Sequence, residues 1–112
     1  MVTETAGTGA VPMMVGGDTS MLYPGVKGVA TTHGYGEIGL VHFSAHPDSD
    51  TNAVHTVSDE QALFLLLDEG IVSGEDVVSV GLRGPAVDVD TLQWLGVYTV
   101  LHSHMEFYPC CP

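Results

Sequence analysis

The sequence predicts an α/β fold, a three-layer parallel sheet with flanking helices, and three observations carry that prediction. An apolar run, Ile38 to Ala45, passes abruptly into His46, Asp48 and Asp50. A capping box, Ser58-Asp59-Glu60-Gln61, heads a wholly apolar stretch from Ala62 to Leu67. Two further β-rich runs follow, Val77 to Val80 and Val97 to Leu101, with a short helical pattern between them. Strand, helix, strand, helix, strand at this spacing is the order of parallel strands joined by crossing helices.

Taken in order, residues 1 to 10 are small and polar and predict a flexible N-terminal segment. Val11 to Val15 predicts a short apolar strand, ended by the Gly16-Gly17 turn. Asp18 is placed to cap a helix from about Ser20 to Thr32, with Pro24 and Gly25 expected to break it. His33 would end that helix, where a cation is favourable. Ile38 to Ala45 is the central strand, and its composition, with Val41 and Phe43, predicts burial on both faces. Pro47 stops the strand. His46 and Asp48 stand two apart, so an extended backbone would project both to one side, where imidazole and carboxylate suit a divalent cation such as Mn²⁺.

The loop from His46 to Val57 is polar, as suits a site loop on a rigid strand. The helix after it has Ser58 as N-cap, Gln61 at N3, and Asp59 and Glu60 in its first turn, where the helix dipole favours anions. Apolar all round, it should be deeply packed, with Gly70 after Glu69 as its terminator. Asp76 to Leu82 gives the next strand, Val89 to Gly96 a short helix burying Leu92, Trp94 and Leu95, and Val97 to Leu101 the last strand.

At 112 residues the chain forms at most one domain, and 45% hydrophobic residues suffice for a core. Its formal charge of −12 sets 14 acidic residues against only Lys27 and Arg83. That balance argues against nucleic acid and against an anionic membrane surface, because neutralising phosphates requires Lys and Arg. It is compatible with a cationic substrate. No apolar run approaches the ~20 residues of a membrane span, and Met1 to Gly9 lacks the basic start of a signal peptide. A soluble, cytoplasmic protein is the expectation. Cys110 and Cys111 are adjacent and form no disulfide framework.

Three blocks carry a resemblance. Gly16-Gly17-Asp18-Thr19-Ser20, then Val41-His42-Phe43-Ser44-Ala45-His46-Pro47-Asp48, then Val77-Val78-Ser79-Val80-Gly81-Leu82-Arg83-Gly84 occur in the order and spacing of the ureohydrolases, the arginase and agmatinase family. Over about residues 10 to 100 the chain resembles the middle section of that family's domain. Residues 11–104 would then be a partial arginase-like domain and 105–112 a tail without counterpart. The family cleaves a guanidino small molecule to urea and an amine, using two manganese ions that activate water.

The resemblance implies that His46 and Asp48 are metal ligands and that His55 is a loop histidine near the substrate, suited to proton transfer. It also exposes departures. Thr19 stands where the family has a metal-binding His, and Ser44 where it has the Asp that bridges the two metals. The family's later Ser-x-Asp-x-Asp segment has no counterpart after His104. The expectation is a ureohydrolase-like chain of the agmatinase or guanidinobutyrase kind, inactive alone. A second reading is a non-catalytic remnant that associates with full-length ureohydrolase subunits. A third is a single-metal protein using His46, Asp48 and Asp50. A sheet cut this narrow leaves edges that invite homo- or hetero-oligomers. His42 is expected to pack beside the site, Asp18 to act on it through hydrogen bonds, and Arg83 to contact nearby backbone or carboxylates. His102, His104 and Glu106 are expected to form a surface strand end.

Overall fold

The structure, a computed structural model, describes residues 1–48, 61–82 and 100–102. Three strands, β1 (Leu40–Phe43), β2 (Val77–Val80) and β3 (Val100–His102), form one sheet in the order β1-β2-β3. Both pairings are parallel, with His42 opposite Ser79 and Ser79 opposite Leu101. Parallel neighbours require a crossover connection. Between β1 and β2 that connection contains a helix, Ala62–Asp68. The predicted parallel α/β architecture is therefore present. The predicted helix at 89–96 lies outside the described residues, as do Ser58, Asp59 and Glu60 of the capping box; Gln61, expected at N3, is the N-cap of the Ala62–Asp68 helix.

Two helices precede β1: α1 (Val2–Gly7) and α2 (Leu22–His33); the connecting helix Ala62–Asp68 is α3. Asp18 caps as expected. Its carboxylate accepts from the Ser20 amide and hydroxyl at the head of a 3-10 turn, Thr19–Met21, that leads into α2. Contrary to expectation, Pro24 and Gly25 do not break α2. Pro24 is the third residue of the helix, in the first turn, where a missing N–H leaves no intrahelical bond unmade. α1 forms where composition gives little helix signal. Val2 packs against α2 at Gly28, where an added Cβ would come within 2.8 Å of it.

The core is small and continuous. Ala30 of α2, Leu63 and Leu66 of α3, Ile71, Val72 and Val77 of β2 are fully buried together, with Leu22, Val26, Ile38 and Leu40 packed against them. α3 ends as its sequence predicts. Gly70 takes a φ of 64°, its N–H donates to the Leu67 carbonyl at 3.1 Å, and the Ile71 N–H reaches back to Leu66 at 2.9 Å. That 6→1 and 5→2 pair is a Schellman motif, and it turns Ile71 and Val72 into the core. On the outside, Lys27 Nζ meets Glu69 Oε2 at 2.8 Å and the Tyr23 hydroxyl at 2.6 Å, stapling α2 to α3. The staple lowers the Glu69 pKa, chiefly through the Lys27 hydrogen bond, and raises that of Lys27.

Two expectations are corrected at the sheet. β1 is buried on one face only: His42 is 6% exposed, but Val41 and Phe43 are 60% and 78% exposed. Leu40 and His42 face the helices by strand alternation, and no described element covers the other face. Val11 to Val15 forms no strand. Val11, Met13 and Val15 are each about nine-tenths exposed (92%, 88% and 92%), and Pro12 withholds a ladder donor.

Candidate functional site

The candidate site lies at the carboxyl end of β1, where an open parallel sheet presents side chains to a ligand. The ladder continues one residue past the strand, with the Ser44 N–H donating to the Val80 carbonyl at 3.2 Å. The chain then bends at Ala45 and His46, and Asp48 takes a φ of 49°. Aspartate and asparagine enter this left-handed region more readily than other residues with a Cβ. The extended backbone that would have projected His46 and Asp48 to one side is therefore not formed. His46 is exposed, and its backbone N–H donates to Ser44 Oγ at 3.1 Å. Asp48 is buried, 7% exposed.

Asp48 turns back onto β1. Its Oδ2 lies 3.1 Å from His42 Nε2 and accepts from Ser44 Oγ at 3.3 Å. A carboxylate only accepts, so Nε2 carries the proton in this contact. The other ring nitrogen, Nδ1, stands 3.5 Å from Ser79 Oγ on β2, the residue opposite His42 in the ladder. Ser79 is fully buried. The resulting order, Ser79–His42–Asp48, has the connectivity of a nucleophile, base and orienting acid. Its hydroxyl is sealed inside the sheet, however, and no substrate can reach it.

A groove of about 360 Å³ lies beside this cluster. Gly16, Asp18 and Thr19 form one wall, and His42 and Ser44 line the other. The first two blocks of the sequence resemblance thus meet in space, although about twenty residues of turn and helix separate them in the chain. The Asp18 carboxyl is held below the ordinary aspartate range, first by the Ser20 hydroxyl and then by the Ser20 amide. A second groove, about 650 Å³, runs between Pro12, Met14 and the Leu22, Gly25 and Val26 side of α2.

The donor set does not fit a pair of manganese ions. A dinuclear centre needs several carboxylates and imidazoles converging with lone pairs free. Among the described residues no three of His, Cys, Asp and Glu converge. Thr19 and Ser44 supply neutral hydroxyls, and the Asp48 carboxylate is engaged by His42 and Ser44. Asp50, His55, Arg83, His104 and Glu106 lie outside the described residues. The His42–Asp48 contact is the feature that sequence reasoning missed. Its only signal was that His42 shares a strand face with Leu40, hence with the core.

Comparison with known proteins agrees with the parallel α/β fold. The sequence model described as the Arginase family matches residues 1–107. The chain is 34% identical over 88 residues to the mitochondrial guanidino acid hydrolase of Rattus norvegicus, covering 78% of this chain and 24% of that protein. It is 37% identical over 78 residues to the mitochondrial agmatinase of Gallus gallus, covering 69% and 22%. The chain therefore spans about a quarter of the length of these relatives.

Among solved structures, Trypanosoma cruzi formiminoglutamase with Mn²⁺ superposes with a TM-score of 0.79 at 19% identity, over 91% of this chain and 34% of that one. At that identity the likeness concerns the fold. A quadruple mutant of a T. brucei arginase-like protein matches with a TM-score of 0.71 and 32% identity, over 91% and 30%. Three of its four changes place Asp, His and Asp at alternate positions, the spacing of Ser44, His46 and Asp48 here.

Proposed function

Because the chain belongs to the arginase family, we propose that it is a section of a ureohydrolase of the agmatinase or guanidinobutyrase kind, and that these 112 residues alone do not catalyse. The reaction class is hydrolysis of a guanidino group to urea and an amine, with manganese supplying the activated water in complete members. The observation that carries this reading is the groove that gathers Gly16, Asp18 and Thr19 against His42 and Ser44 at a parallel strand's carboxyl end. The agmatinase and guanidino acid hydrolase relatives support the substrate class.

By motif match, His46 and Asp48 occupy inherited metal-ligand positions, and His55 that of a proton-transferring loop histidine. Inactivity follows from the donor set. With hydroxyls at 19 and 44 and the Asp48 carboxylate engaged, nothing in the described groove can assemble the water-activating centre. Urea assayed from the purified chain with MnCl2 and either agmatine or 4-guanidinobutyrate should stay at the no-protein background. Manganese-dependent urea release that is lost in Asp48→Asn would refute the proposal.

The outer edge of β1 favours a second reading, association with full-length ureohydrolase subunits. β1 ends the described sheet, and its exposed Val41 and Phe43 flank an edge without a described strand partner. Co-expression with a full-length relative should give mixed oligomers that Phe43→Lys weakens. A monomer indifferent to such subunits would count against it.

A further inference from the structure

Asp48 fastens two elements at once, and neither contact uses a metal. Its left-handed backbone aims the carbonyl at the start of α3, where it accepts from the Leu63 N–H at 2.9 Å and the Phe64 N–H at 3.4 Å. These are first-turn donors that no carbonyl within α3 can satisfy. The side chain of the same residue returns to β1, to His42 at 3.1 Å and Ser44 at 3.3 Å. Through His42 the connection reaches Ser79 on β2.

We infer that Asp48 is a structural latch that ties β1 to α3, an inherited ligand position converted to a metal-independent role, with Ser44 as the substitution that permits it. The role of Ser44 follows from charge. A carboxylate at position 44 would stand beside the Asp48 carboxylate, an arrangement that needs a cation or a shared proton between them. A hydroxyl there donates to Asp48 and anchors the His46 amide as well. The cluster closes without an ion. Burial makes it consequential: with Asp48 and His42 6–7% exposed and Ser79 at 0%, a lost partner leaves a polar group largely withdrawn from solvent.

The latch rests on the same site as the proposed function but fails separately from it. The test is thermal unfolding of the full 112-residue chain and its Asp48 variants, each with EDTA or with MnCl2. Free Mn²⁺ is followed in parallel by electron paramagnetic resonance. Asp48→Asn, which keeps an acceptor and tolerates the left-handed turn, should change the midpoint least. Asp48→Gly keeps the turn but loses the side chain, and Asp48→Ala loses both. Asp48→Ala should therefore fall furthest, by roughly 5–15 °C.

MnCl2 should leave the wild-type midpoint and the free Mn²⁺ signal unchanged. If Asp48→Ala cannot be obtained folded, the Asn-over-Gly order and the wild-type metal measurements still decide. Equal midpoints across the series would overturn the latch. So would a Mn²⁺-induced rise in the wild type that Asp48→Asn abolishes. That second result without urea release would leave the functional reading standing, whereas urea release would overturn it instead.

Discussion

At position 44 a single side chain decides what its neighbours can do. Ser44 Oγ donates to Asp48 and accepts from the His46 amide, so one uncharged hydroxyl holds the bend after β1. Ser44→Asp would set two carboxylates against each other in a largely buried corner. The variant should unfold at a lower temperature than wild type in EDTA, and MnCl2 should recover part of the difference. A Ser44→Asp midpoint equal to that of wild type in EDTA would show that Ser44 does not govern this charge balance. Thr19 on the facing wall is a hydroxyl as well, so two neutral side chains line the same groove.

The helices show why some elements could be anticipated and others not. α3 announced itself through a continuous apolar stretch and a glycine stop, signals internal to the segment, and the structure realises both. Leu66 is fully buried between α2 and the sheet, and its carbonyl also receives Ile71 and Val72. Leu66→Ala should therefore cost about 2–5 kcal/mol of unfolding free energy, measured by urea denaturation. A loss under 1 kcal/mol would mean that the α2–α3 core is looser than its burial indicates. α1 gave no comparable warning. Its helix rests on Val2 packing where Gly28 leaves room, a contact about twenty-six residues away that no local pattern encodes. Pro24 misled in the opposite direction, because its effect depends on where the helix begins.

At the scale of the molecule, the described fold is a narrow parallel sheet with its helices packed on one face. That asymmetry leaves Val41 and Phe43 in solvent, and Val11, Met13 and Val15 are exposed as well. Isolated exposed apolar residues are ordinary, but a strand edge bordered by them is a surface that pairing would cover. The association measured with Phe43→Lys addresses this surface directly.

The amino-acid order alone determined the parallel α/β class, the apolar helix with its glycine stop, the capping by Asp18 and the three blocks that mark the family. Each depends on periodicity, capping chemistry or motif spacing, all of which are local. Tertiary structure alone decided that β1 is covered on one face, that Val11 to Val15 stays out of the sheet, and that Asp48 turns away from His46 towards His42. Those outcomes depend on which strand lies at an edge and on one left-handed residue after a bend. Neither is written in alternation, because burial is a property of what packs alongside a segment and not of the segment itself.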